Sequence, residues 1–151
     1  MKNSKAKGFT IVEVLFVLAI GGLILMMVFL AIPAINRWNN NSKRKADVSA
    51  ILQAVSDYRL QNMGNFPGDD IAKNNLRNQL SNKLNIYANT AIGISFDSNT
   101  GTVSAVTAID TVKVYNSAIC NSSGGGASLG GSRDIVALYA LDPSMSQCRQ
   151  L

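Results

Sequence analysis

Gly8-Phe9-Thr10-Ile11-Val12-Glu13 opens the stretch that decides how this chain is built. From residue 14 to residue 35 every side chain that follows is apolar or glycine. Glu13 is the only charge between Lys7 and Arg37. A carboxylate at that depth of a bilayer costs roughly 2.5–3.5 kcal/mol on insertion scales, so it calls for a task and a partner. The span holds no Lys, Arg or His, so the expected counter-charge comes from another molecule or from a newly made terminus. Residues 14–35 amount to about 22 residues, or ~33 Å of helix, enough to cross a membrane.

Upstream lies a short leader, residues 1–8, carrying Lys2, Lys5 and Lys7. A general secretory signal is the plainer reading of such a start. Three features count against it: the apolar run exceeds the usual ~7–15 residues, Glu13 stands at its head, and the small-residue sites near Pro33 are poor. Gly21, Gly22 and Pro33 interrupt the span; they are ordinary membrane-helix tolerance or points at which it extends or bends. Downstream, Arg37, Lys43, Arg44 and Lys45 slightly outnumber the leader lysines, so charge counting does not set the orientation.

The helix is expected to continue as a stem over residues 36–63. Val48, Ile51, Leu52, Val55 and Tyr58 recur at three- and four-residue spacing, with Asp47, Asp57 and the basic residues mostly off that stripe. Gly64 and then Pro67 end it. Asp69 or Asp70 caps a short helix to about residue 84, with Leu76, Leu80 and Leu84 on one face.

From Ile92 the period changes to two. Ile92, Ile94 and Phe96 form one alternation, Val103, Ala105, Thr107 and Ile109 a second, Val112 and Val114 a third; these predict antiparallel strands. Asp97 to Gly101 reads as the hairpin turn between the first two. The Gly/Ser tract over 121–132 is expected to be mobile and solvent-exposed. Residues 135–141, Ile-Val-Ala-Leu-Tyr-Ala-Leu, predict an interior strand, followed by a turn at Asp142-Pro143-Ser144. The fold class expected is α+β: a long N-terminal helix, as membrane span and amphipathic stem, packed on a small antiparallel sheet over residues 64–151.

Composition narrows the chemistry. The formal charge is +5, but the three leader lysines supply most of it and the remainder carries only +2. A dedicated nucleic-acid face is therefore not implied. The sequence has no histidine, which removes the commonest general base, the usual triads and most zinc sites. Asp69-Asp70 lacks a third carboxylate for calcium, and the tract at 121–132 lacks the lysine of a phosphate loop. No catalytic residue, metal or cofactor is expected.

Gly8-Phe9-Thr10-x-x-Glu13, after a short lysine-bearing leader and before a long apolar helix, resembles the prepilin signature of type IV pilins and their pseudopilin relatives. Tyr58 through Asn62-Met63-Gly64-Asn65-Phe66-Pro67 is similar to the passage in which many of these proteins end their stem. The resemblance implies a pilin-like fold. It implies a peptidase that cuts between Gly8 and Phe9 and methylates the Phe9 amine, which pairs with Glu13 of a neighbouring subunit; Thr10 belongs to the same assembly segment. It implies a membrane-anchored precursor, leader inside and head outside, then extrusion by an inner-membrane platform and motor into a helical homopolymer. Adhesion, twitching motility and DNA uptake, with DNA or a surface ligand as partner, follow from the resemblance alone. Resembling chains place their helix-breaking proline about three residues earlier, where this one has Leu30.

Cys120 and Cys148 both lie beyond the span. Outside the cytoplasm such a lone pair is most often a disulfide, here bounding a C-terminal region as in resembling pilins; free thiols or part of a metal site are the alternatives. A major pilin is the first expectation, with a minor pilin or a secretion or competence pseudopilin next. A membrane-anchored binding protein that never polymerises is the competing class.

Overall fold

A computed structural model of the chain describes residues 8–84, 93–98, 100–109 and 111–151. The leader lysines, Ile92 and Asn99 of the expected strand and turn lie outside the described residues. The chain divides into two compact units, Met1–Asn39 and Asn40–Leu151.

Helix α1 runs Ile11–Gln61 and begins in the first unit. There its apolar side chains are exposed all round, and only Gly21 is half-buried. Gly21, Gly22 and Pro33 lie within unbroken helix, although Pro33 offers no backbone N–H to the ladder.

In the second unit the last turns of α1 bury Val48, Ile51, Leu52 and Val55, the stripe that the spacing predicts. Asp47 departs from expectation: it is only 1% exposed and belongs to the buried face. It neighbours Val48 at the edge of the stripe, where a short side chain is covered once the head packs on the helix.

The helix ends by a Schellman turn. The Gly64 amide donates to the Arg59 carbonyl at 2.7 Å, and Met63 takes the left-handed slot at φ 55°, with Gly64 following at φ 87°. Helix α2, Asp70–Ser81, starts where Asp69 accepts a hydrogen bond from the Ala72 amide. It buries Leu76 and Leu80, and Leu84 is buried just beyond it.

The main sheet has strands β1 (Ile94–Ser98), β2 (Val112–Asn116), β5 (Ile135–Asp142) and β6 (Met145–Gln150), in the order β1-β2-β5-β6. Strands β3 (Ala118–Cys120) and β4 (Ala127–Leu129) form a separate antiparallel pair. β2 with β5, and β5 with β6, are antiparallel. β1 and β2 are parallel, Ile94 opposite Val112 and Phe96 opposite Val114, which corrects the antiparallel expectation for this pair. The hairpin expected at Asp97–Gly101 was to join β1 to residues 103–109, and its Asn99 lies outside the described residues. A parallel pair needs a crossover of about a dozen residues, and the chain between β1 and β2 supplies it. Residues 103–109 are not a strand; Val103 makes a single bridge to Ala127, and the buried residue is Val106, out of phase with the expected set.

β5 is buried on both faces for a physical reason. Ile135, Ala137, Tyr139 and Leu141 join the core of α1, α2, β1 and β2. Val136 and Leu138 face a second core with Val106, Ala118 and Ala127. A strand covered on both sides reads as a continuous apolar run, without alternation. The Gly/Ser tract is not wholly exposed as expected: Gly126 and Ala127 are buried. Two of its glycines are demanded by close approach. A Cβ on Gly126 would sit 2.8 Å from the Val103 carbonyl oxygen, and one on Gly130 would sit 2.9 Å from the Ala118 carbonyl carbon. Cys120 and Cys148 are disulfide-bonded, joining β3 to β6 across 28 residues. Closing a loop of that length contributes about 3.5 kcal/mol in the chain-entropy model.

Candidate functional site

Thr10 is the residue before the first turn of α1, and Glu13 is the acid in that turn. The Thr10 amide donates to Glu13 Oε2 at 2.9 Å, and the Thr10 hydroxyl donates to the same oxygen at 2.8 Å. In return the Glu13 amide donates to Thr10 Oγ1 at 3.3 Å. This is a reciprocal capping box, in which a threonine and a glutamate three residues on satisfy each other's backbone donors. The pattern Thr-x-x-Glu was legible in the sequence, and reading Glu13 only as a charge without a partner missed it. The carboxylate has hydrogen-bond partners in its own chain, and its partners among the described residues are those of Thr10.

The box stabilises the helix start in two ways. It occupies amide donors that the first turn leaves open, and it sets a negative charge at the positive end of the helix dipole. It also holds the Glu13 side chain beside the backbone of Phe9 and Thr10. Both side-chain bonds end on Oε2. Phe9 is 90% exposed and Gly8 is exposed before it, so the bond between them is accessible. Phe9, Val14, Val17 and Leu18 line an apolar hollow of about 310 Å³ next to the Glu13 carboxylate. An ammonium and an aromatic ring delivered together would find an oxygen acceptor and an apolar seat side by side.

The remaining predicted residues are not part of this cluster. Gly21 and Gly22 have open space where a Cβ would stand, so nothing in the single chain requires glycine there. Cys120 and Cys148 belong to the head, and their bond is structural.

The other polar constellation is at the end of α1. Arg59 donates from Nε to the Gly64 carbonyl, from Nη1 to that of Arg133 and from Nη2 to that of Ser132. This ties the stem's end to the turn before β5. It offers three carbonyl acceptors to one guanidinium and no nucleophile or acid–base pair, so its chemistry is positioning.

Residues 3–29 match the family model of the prokaryotic N-terminal methylation motif. The match covers Gly8, Phe9, Thr10, Glu13, Gly21 and Gly22, and stops short of Pro33 and the head. No curated protein and no solved structure matches the chain.

Proposed function

We propose that this chain is a structural subunit of a type IV pilus-like filament. The observation that carries the reading is the single acid at the head of an exposed apolar helix, inside the matched methylation motif. The motif marks a chain processed at its N-terminus as prepilins are, and the apolar helix suits a membrane-anchored precursor.

Cleavage after Gly8 removes three lysines that oppose withdrawal from the bilayer. It also creates the one cation the apolar segment lacks, the Phe9 amine. In the uncut chain the Glu13 carboxylate rests on Thr10, which lowers the cost of holding it in lipid. In the filament the amine of an incoming subunit binds it, with the phenylalanine ring in the hollow formed by Val14, Val17 and Leu18. An ion pair of this kind fixes axial register more than it adds net stability.

Apolar stems exchange lipid contacts for helix contacts, an exchange with no hydrophobic driving force of its own. Assembly therefore draws work from a motor on an inner-membrane platform. The role is non-enzymatic. A major subunit is our first reading, with a minor pilin or a secretion pseudopilin as the alternative; attachment, motility and DNA uptake are the uses such a filament would serve.

Intact-mass spectrometry of chain sheared from the cell surface tests the reading. The expected mass is that of a polypeptide starting at Phe9 with one added methyl group. A chain still beginning at Met1, or one absent from the sheared filament fraction, would overturn it.

A further inference from the structure

The geometry points to a head-to-head contact between successive copies, in which Ile71 of one copy seats in the groove beside Met63 of the next. This rests on the filament reading above and assigns that polymer a second interface, distinct from the N-terminal one.

The receiving groove, about 400 Å³, is lined by Leu60, Met63, Ile135 and Leu151, with Arg59 and Arg133. Ile135 is buried at its floor, but its other apolar members are open for a head that buries its core: Leu60 is 80% exposed, Met63 99% and Leu151 57%. Met63 also holds a left-handed backbone, φ 55°, which a side chain other than glycine adopts at a cost. Methionine is an adaptable apolar surface residue and fits a partner's shape readily. No Asp or Glu lines the groove. Arg59 is bonded to carbonyls, and the neighbouring Asp134 directs a carboxylate oxygen to the Gly131 amide.

The inserting surface lies at the start of α2. Ile71 is 74% exposed and directly follows Asp69 and Asp70, with Lys73 two residues on. It borders a hollow whose lining contains Asp69 and no Lys or Arg. An apolar knob with acids on its N-terminal side therefore complements an apolar groove that carries two arginines.

The placement on α1 decides the kind of contact. At 100° per residue, Ser56 and Leu60 of the groove and Tyr58, Gln61 and Asn62 of the hollow lie roughly 160° apart around the helix. They flank the buried stripe on opposite sides. A patch that meets a different patch on the next copy is heterologous, and it propagates into a filament unless its rotation happens to close a ring.

The test uses the full chain in cells that assemble it. The Met63→Cys, Ile71→Cys double variant, oxidised in the sheared filament fraction, is expected to give a ladder of covalent multimers. Each single variant should give none beyond a dimer. Arg133→Asp and Asp70→Arg are each expected to lower filament yield about fivefold, and the two together to restore it to within about twofold. If the cysteine variant does not assemble, the charge pair decides alone. Filaments of normal yield in both charge variants, or filaments whose cysteine pair forms no ladder, would sink this contact and leave the filament reading standing. Absence of filaments from the unaltered chain would remove both.

Discussion

Two apolar runs of this chain meet opposite conditions. Residues 14–35 form the first unit's helix and keep their side chains exposed. Residues 135–141 form a strand that is buried on both faces. Composition alone barely separates them; the availability of partners does. The strand finds α1 and α2 on one side and the β3–β4 pair on the other, all within its own chain. Among the described residues the helix keeps its apolar side chains exposed, so its surface calls for lipid or for other copies. An apolar run that its own chain leaves uncovered is information about assembly, and one that it covers is information about folding.

The largest expected break in this comparison is Glu13→Ala. It removes the carboxylate from the uncovered run and leaves the covered one untouched. We expect loss of filament incorporation by at least about tenfold, with leader removal and head melting unchanged; immunoblots of the sheared and membrane fractions read the first two. Normal filaments from that variant would end the pairing mechanism.

Next is a matched pair, Leu138→Ala and Leu18→Ala. Leu138 is fully buried, so its truncation is expected to cost about 2–5 kcal/mol in thermal unfolding of the detergent-solubilised chain. Leu18 is exposed and should leave that transition in place. Equal effects would mean that the two runs are not different in kind. A smaller contrast is expected between Gly130→Ala and Gly21→Ala. The first forces a Cβ against the β3 backbone and is expected to cost roughly 1–3 kcal/mol. The second enters open space and should not shift the head's melting at all.

The smallest effect is alkaline. Burial raises the Tyr139 phenol above its ordinary value, with Arg149 opposing in part. Burial also raises Tyr115, helped by Asp97, which lies opposite it in the β1–β2 register. The folded state thus prefers the neutral phenols. Their contribution is complete below about pH 10, the unfolded value, and is lost as pH rises through the raised folded values. Head stability should therefore fall above about pH 10, and Tyr139→Phe should flatten the fall. Every tyrosine lies in the second unit, so phenolate absorbance reports on that unit and not on the apolar helix of residues 14–35.

Much of this was readable from local pattern. The stripe Val48, Ile51, Leu52 and Val55, the Asp69 cap and the buried Leu76, Leu80 and Leu84 all follow from helical period and capping chemistry. The candidate site was readable as residues but not as geometry. Glu13 stood out by charge, and the motif Thr10-x-x-Glu13 named the cap only once Thr10 was seen as the residue before the helix. The misreadings share one cause. A period of two says that a segment is extended, and it does not say which neighbour the segment pairs with or in which direction. The residues at 103–109 alternate but serve as a crossover, and Gly126 and Gly130 look like a flexible tract but admit a close backbone approach.

The sequence by itself determined the long helix, its apolar span, the lone acid at its head, the stem's buried stripe and the interior strand, because each is written in charge or period over a few turns. Only the tertiary structure decided that β1 runs parallel to β2, that Asp47 is buried, that Cys120 and Cys148 stand close enough to bond, and that two of the glycines are packing residues. Those outcomes depend on which distant segments come together, and no local pattern carries that choice.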